Sequence, residues 1–111
     1  MIEKTVIEYL SNKLSVPVYM ERPATVPKEF VLVQKTGSSV ENLIYSATFA
    51  LQSYAPSKLK AAELNELVKN AMDGIIELNE ISKSKLNSDY DYTDTDNKEY
   101  RYQAVYDLVH Y

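Results

Sequence analysis

The spacing of apolar residues predicts two amphipathic helices. Over residues 2–14, apolar side chains recur every three to four positions, as they do on one face of a helix. A longer stripe follows Ala55-Pro56-Ser57, in which Ser57 is the expected N-cap. This stripe comprises Ala61, Leu64, Leu67, Val68, Ala71, Met72, Ile75, Ile76 and Leu78. Gly74 interrupts it, so we expect the last helical turn to kink or fray there.

Between the two helices, the pattern predicts three strands. Residues 16–20 form a short strand that Pro17 assigns to a sheet edge. Two prolines make 22–28 a stiff loop, and the apolar run 30–33 is a strand buried on both faces that ends in a turn at 35–39. Alternation then predicts a half-buried strand over 43–54, with Leu43, Tyr45, Ala47, Phe49 and Leu51 on one side.

After the second helix, residues 80–86 predict a short, charged edge strand, and residues 100–109 alternate as a long final strand. Residues 87–99 are expected to form an acidic, tyrosine-rich loop. The element order is therefore α-β-β-β-α-β-β. It predicts a single α+β domain over residues 1–111, with two helices packed on one face of a mostly antiparallel sheet.

The charge is unevenly distributed along the chain. Residues 1–86 carry ten acidic and ten basic side chains, whereas residues 87–111 carry six acidic and two basic ones, which accounts for the whole net charge of −4. Six of the ten tyrosines also lie in residues 87–111. A neutral body thus carries a separate acidic quarter that repels phosphate, so no sequence-specific nucleic-acid binding is expected.

Composition argues against most cofactor and catalytic classes. The only glycines, Gly37 and Gly74, cannot build a dinucleotide fingerprint or a phosphate-binding loop. The chain has no cysteine, and its single histidine, His110, is expected at the half-exposed end of a strand rather than in a catalytic triad. We therefore expect no enzyme activity, no cofactor and no metal. No apolar run is long enough to span a bilayer, and we expect a soluble, unprocessed chain.

The acidic segment is the one place where oxygen ligands cluster. Counted from Asp89, an EF-hand would need glycine where Asp94 stands and glutamate where Tyr100 stands. A calcium site, or a small carboxylate-based binding module, remains an alternative to a solvated acidic loop. Tyrosines that alternate along a strand more often fill sheet faces and protein interfaces.

Several segments, in this order and spacing, resemble the tail terminator or tail-completion proteins of long-tailed phages and prophages. Together with the N-terminal amphipathic helix they cover nearly the whole chain. They are Val18–Pro23, Pro27–Val33, Thr36-Gly37, Ala50–Ala55, Ser57 with Ala61-Ala62, and Tyr100–Tyr102. The chain departs from the family in its tyrosine-rich acidic loop and in having only one glycine after the second predicted strand.

The resemblance implies a non-enzymatic virion protein that is assembled in the bacterial host cytoplasm. Such proteins form a hexameric ring that caps the tail tube and offers a surface to head-completion or connector proteins. A neighbouring connector or neck protein is the alternative within this class. The loops expected to take part in assembly, or to line the lumen, contain Ser38, Ser39, Asp89, Asp91, Asp94 and Asp96.

Overall fold

A computed structural model describes residues 1–111 and shows an α+β fold with two helices and a five-stranded, mostly antiparallel sheet. The elements are α1 (Ile2–Lys13), β1 (Val18–Tyr19), β2 (Phe30–Glu41), β3 (Ile44–Ala55), α2 (Lys58–Asp73), a 3-10 turn (Ile75–Glu77), β4 (Ile81–Asp91) and β5 (Tyr100–His110). No helix has the length and apolar character needed to cross a membrane.

The strands lie in the order β1-β2-β3-β5-β4, so β1 and β4 form the two edges of the sheet. β1 runs parallel to β2, and all other neighbours are antiparallel. β3 is central and pairs with β5 over its whole length, from Tyr45 opposite His110 to Ala55 opposite Tyr100. The edge position expected for the strand that follows Pro17 is confirmed.

One apolar cluster joins both helices to the sheet. From the helices it takes Val6, Tyr9, Leu10, Leu64, Val68 and Met72, and from the strands Val31, Val33, Ala47, Phe49, Leu51, Ile81, Ala104, Tyr106 and Leu108. Most of these strand residues alternate along β2, β3 and β5, so they share one side of the sheet. The opposite side, which we call the open face, carries a smaller buried cluster of Phe30, Leu32 and Tyr54.

Tyr106 is the largest fully buried side chain of the core. Its hydroxyl donates to Asp73 Oδ1 at 2.8 Å and lies 3.1 Å from the Lys69 carbonyl oxygen. Burial, together with the Asp73 carboxylate, raises the pKa of this phenol far above its usual range. The hydroxyl therefore stays protonated and ties β5 to the last turn of α2.

The expected turn at 35–39 is wrong, because β2 continues through it to Glu41. Gly37 and its neighbours mark a register shift between Lys35 and Gly37, which is a β-bulge and not a chain reversal. The reversal occurs at Asn42 and Leu43, where both residues have positive φ (52° and 65°), as in a type I′ hairpin turn. Asparagine tolerates this conformation, whereas leucine gives no signal for it.

Replacing Gly37 with alanine is expected to stabilise the fold. Gly37 has a negative φ, and a Cβ built on it meets no atom within 4 Å. Glycine inside a strand costs roughly 0.5–1 kcal/mol relative to alanine, so the free energy of unfolding is expected to rise by about that amount. Urea titration of both proteins, followed by circular dichroism, measures the change. A lower midpoint for the variant would mean that the bulge needs the glycine.

The short strand expected at 80–86 is also wrong in length, although its edge position is confirmed. β4 extends to Asp91 and pairs with β5 as far as Asp91 opposite Tyr102. The loop expected over 87–99 is therefore reduced to residues 92–99. A bulge between Leu86 and Ser88 interrupts the alternation there, which hides the second half of the strand in the sequence.

Both helices lie where the sequence predicts them, but α2 ends before Ile75, Ile76 and Leu78 of the expected stripe, and not all of that stripe is buried. Ser57 is the N-cap, as predicted, and accepts a hydrogen bond from the Lys60 backbone N–H at 3.2 Å. The helix ends at Asp73, directly before Gly74, which confirms the expected disturbance there. Leu67 and Ile76 were expected in the core, yet each is 54% exposed.

Candidate interaction surfaces

The six residues expected in assembly loops do not form one cluster. Ser38 and Ser39 lie within β2, and Asp89 and Asp91 lie within β4, three strands away. Only Asp94 and Asp96 lie in the connection between β4 and β5. The prediction of loops at these positions is therefore wrong for the first four residues. Because β2 has no outer neighbour beyond Leu32 and β4 is the opposite edge strand, these four residues stand at two different sides of the sheet.

The carboxylate of Asp89 is anchored against α2. Its oxygens accept hydrogen bonds from Asn65 Nδ2 and Lys69 Nζ, each at 2.6 Å. The Asp89 carboxylate is the main cause that raises the pKa of Lys69. Asn65 is buried, and the bond to Asp89 is the hydrogen bond that its Nδ2 makes, whereas its Oδ1 has no partner. Asp89 thus holds the edge strand to the helix.

Asp91 and Asp94 close turns of the β4–β5 connection. Asp94 accepts from the backbone N–H groups of Asp96 and Asn97 and from the Asn97 side chain, and the side-chain bond is the main cause that lowers the pKa of Asp94. Asp91 accepts from the hydroxyl and the backbone N–H of Thr93. No three histidine, cysteine or acidic side chains converge as metal ligands. The acidic segment is thus organised by its own hydrogen bonds.

Lowering the pH towards 2 is expected to remove the contribution of the Asp91 carboxylate to the stability of the fold. Hydrogen bonds from Thr93, together with Lys58 at 2.9 Å, lower the pKa of Asp91 from 3.8 to about 2. Because the folded-state pKa is depressed, this carboxylate stabilises the fold fully above about pH 4, and its contribution disappears as the pH falls towards 2. The melting-temperature gap between wild type and Asp91→Asn should therefore close over this range. A gap that stays constant down to pH 2 would contradict this assignment.

The open face carries a stack of aromatic and guanidinium groups. The rings of Phe30 and Tyr54 are parallel within 7°, with centroids 4.4 Å apart. The chain's only two arginines, Arg22 and Arg101, lie over the Tyr54 ring at 5.5 and 5.7 Å. Glu99 pairs with both guanidinium groups, and its hydrogen bonds are the main cause that raises the pKa of Arg22. This arrangement, the arginine stack, joins the proline-rich loop to β3 and β5.

A cleft of about 220 Å³ opens beside the arginine stack. Phe30 and Tyr54 line it together with Lys28 and Lys98. This site could not be recognised in the sequence, because its residues lie in segments far apart along the chain. The available signal was that both arginines are flanked by proline or tyrosine and fall in segments that carry the family resemblance.

A chain of polar side chains crosses the open face from β3 to β4. The Tyr54 hydroxyl donates to Gln52 Oε1 at 3.0 Å, and Gln52 Nε2 donates to Gln103 Oε1 at 2.8 Å. Gln103 Nε2 then donates to the Tyr90 hydroxyl. Both glutamines are buried, so these bonds replace those that water would otherwise make. The open face therefore carries a continuous hydrogen-bonded network from β3 to β4.

The sheet leaves long stretches of backbone without a neighbouring strand. β1 pairs only with Val31 and Leu32, so β2 has a free edge from Val33 to Glu41, and β4 has a free edge on the opposite side of the sheet. The hairpin that joins β2 to β3 also exposes apolar side chains: Val40, Leu43, Ile44 and Tyr45. Leu43, at the tip, is 85% exposed. Free edges with apolar side chains nearby are typical of surfaces that pair with another chain.

His110 lies at the half-buried end of β5, as the sequence predicts. Its ring stacks on Tyr45, with centroids 5.7 Å apart, and Nδ1 is 3.2 Å from the Tyr111 carbonyl oxygen. These contacts support the base of the hairpin.

Comparison with known protein families finds no match for this chain. Comparison with curated proteins finds none either.

Proposed function

We propose that this chain is a structural assembly protein of a phage or prophage that caps the tail tube as a hexameric ring. The ring would join the tube to head-completion or connector proteins. The proposal rests on the resemblance in sequence. It is supported by one observation above all, namely that the sheet has a free edge on each of two opposite sides.

Two different free edges suit ring assembly. A ring closes through heterologous contacts, in which one patch of a subunit meets a different patch of the next. The outer edges of β2 and β4 are two such patches on one rigid sheet. The shape is elongated, 44 × 25 × 25 Å, so copies could pack side by side around a ring through their long sides. With both helices over the same face of the sheet, as the proposal has it, the open face would be left for a further partner.

In this proposal the β4–β5 connection points into the lumen. Asp94 and Asp96 lie there, and carboxylates in a channel repel the phosphates of passing DNA. Changing both residues to asparagine is expected to slow or block DNA passage while leaving ring assembly intact. If the variant ring passed DNA like the wild type, or if both residues lay on its outer rim, this placement would fail.

Electron microscopy tests the proposal directly. The purified chain is imaged alone at high concentration and after mixing with tail tubes of the phage or prophage that encodes it. Rings, or tubes that end in a sixfold cap and no longer lengthen, are expected. Monomers alone, even with tubes present, would overturn the proposal. Rings that bind connector proteins but never tube ends would favour the alternative of a neighbouring neck protein.

A further inference from the structure

We infer that copies of this chain join edge to edge, with the free edge of β2 in one copy antiparallel to the free edge of β4 in the next, and with Glu41 opposite Lys83. The inference deepens the proposed function and rests on it, since it specifies how ring subunits meet. The partner is a second copy of this chain, and the contact continues the sheet from one copy into the other.

The lengths of the two free edges fix where the contact begins. β1 covers β2 at Val31 and Leu32, so a new strand can pair only from Val33 onward. If Asp91, the last residue of β4, lies opposite Val33, then Lys83 of β4 lies opposite Glu41 of β2. Glu41 is the last residue of β2, so the free edge of β2 is paired over its whole length, and only Ile81 and Ser82 of β4 extend beyond it.

The charges favour the same register. Glu41 follows Lys35 by six positions, and Asp89 follows Lys83 by six positions. An antiparallel register that places Glu41 opposite Lys83 therefore also places Lys35 opposite Asp89. Opposite charges at directly facing positions stabilise a strand pair, whereas like charges destabilise it. Neither Glu41 nor Lys83 takes part in a salt bridge within the chain.

The side chains of each pair also share a face of the sheet. Lys35 pairs with Glu3 of α1 at 3.1 Å, and Asp89 binds α2, so both lie on the helix side. Alternation from Thr48, which bonds Asp107 across the open face, puts Glu41 and Lys83 on that face. Each strand has a bulge, near Gly37 in β2 and near Asn87 in β4, and the two bulges fall opposite each other in this register. Both strands therefore change side-chain alternation at the same place, and facing residues share a face on both sides of the bulges.

Disulfide cross-linking tests the register, because the chain has no cysteine of its own. Ser39→Cys and Lys85→Cys in one chain place the two thiols directly opposite across the inferred contact. The control combines Gly37→Cys with Lys85→Cys, because residue 37 lies on the same face as residue 39 but two residues out of register, and Glu41 and Lys83 stay in place. Cβ atoms of diagonal neighbours are about 7–8 Å apart or slightly less, beyond the reach of a disulfide. Within one chain the two thiols are three strands apart, about 14 Å, so only links between copies form.

Under mild oxidation, with tail tubes present, the first variant is expected to give a ladder of linked copies and the control almost none. Equal yields in the two variants, or no links in either, would overturn the inferred contact. Disulfide-linked dimers of the Ser39→Cys single variant would also overturn the inferred contact, because they would show that β2 of one copy pairs with β2 of another. If sixfold caps are still seen on the tubes in those cases, the proposed function stands and only this contact is wrong.

Charge reversal gives an independent test. Glu41→Lys and Lys83→Glu each place like charges at every contact, and each is expected to weaken association by about fivefold per contact. Mixing the two variants restores opposite charges at every contact of an alternating ring, so assembly is expected to recover in the mixture. Sedimentation of the separate and mixed variants measures this. Failure of the mixture to recover, with both variants folded by circular dichroism, would overturn the pairing of Glu41 with Lys83.

Discussion

Replacing Phe49 with alanine is expected to lower the free energy of unfolding by about 3–5 kcal/mol. Phe49 is fully buried at the centre of β3, with Lys35 of β2 on one side and Tyr106 of β5 on the other. Removing the ring loses its transfer free energy and leaves a cavity between the central strand and the helices. Since native domains are stable by only about 5–15 kcal/mol, this loss is a large part of the total stability.

Chemical unfolding followed by circular dichroism measures this loss, and Leu67→Ala is the matched control. The sequence assigns Leu67 to the same core, yet its side chain is largely exposed. We expect the control to cost about 0.5 kcal/mol or less, as surface substitutions usually do. Equal losses in the two variants would mean that Leu67 is buried after all and that the sheet is not covered in the way described.

Replacing Tyr54 with alanine is the second change with a large expected effect, again about 3–5 kcal/mol. Tyr54 is buried on the open face, in the small cluster with Phe30 and Leu32. Its ring stacks on Phe30 and lies under both arginines, and its hydroxyl begins the polar chain through Gln52. The alanine variant removes the ring on which both guanidinium groups lie. Arg22, and Glu99 that is hydrogen-bonded to it, therefore lose the contact that holds them in place.

The variant Tyr54→Phe distinguishes the contribution of the Tyr54 ring to stability from that of its hydroxyl. It keeps the stack and removes two hydrogen bonds of the hydroxyl, the one it donates to Gln52 Oε1 and a longer one of 3.4 Å that it accepts from Arg101 Nη1. A loss of about 0.5–1.5 kcal/mol for each bond is expected. Unfolding curves for the two variants give the comparison. If alanine were no worse than phenylalanine, the arginine stack would contribute nothing to the fold, and the open face would be held by the glutamines alone.

Elements with a regular period could be predicted from the sequence, whereas interruptions of that period were misinterpreted. The α2 cap at Ser57 and the alternation of β5 both follow local rules, and both are present. Gly37 looked like a turn because glycine marks turns and bulges alike, and only pairing with β3 tells them apart. The bulge after Leu86 hid half of β4 for the same reason.

The candidate surfaces were less predictable because they depend on contacts between distant segments. Arg22 and Arg101 meet only because β3 lies between the proline-rich loop and β5 in the folded sheet. The free edge of β2 depends on β1 stopping after two residues. The acidic residues were visible in the sequence, but whether a carboxylate faces solvent, a helix or its own turn depends on the register of β4.

The position of β5 in the sheet has a consequence for the newly made chain. β3 is followed by α2 and β4 before its partner β5 is synthesised, and at about 5–20 residues per second the wait from Ala55 to His110 is roughly 3–11 s. During that time the β2–β3 hairpin has only α1 to cover its apolar side, and both of its strand edges are available. Nascent copies are therefore most prone to aggregate through this hairpin, before the protein has reached its folded state.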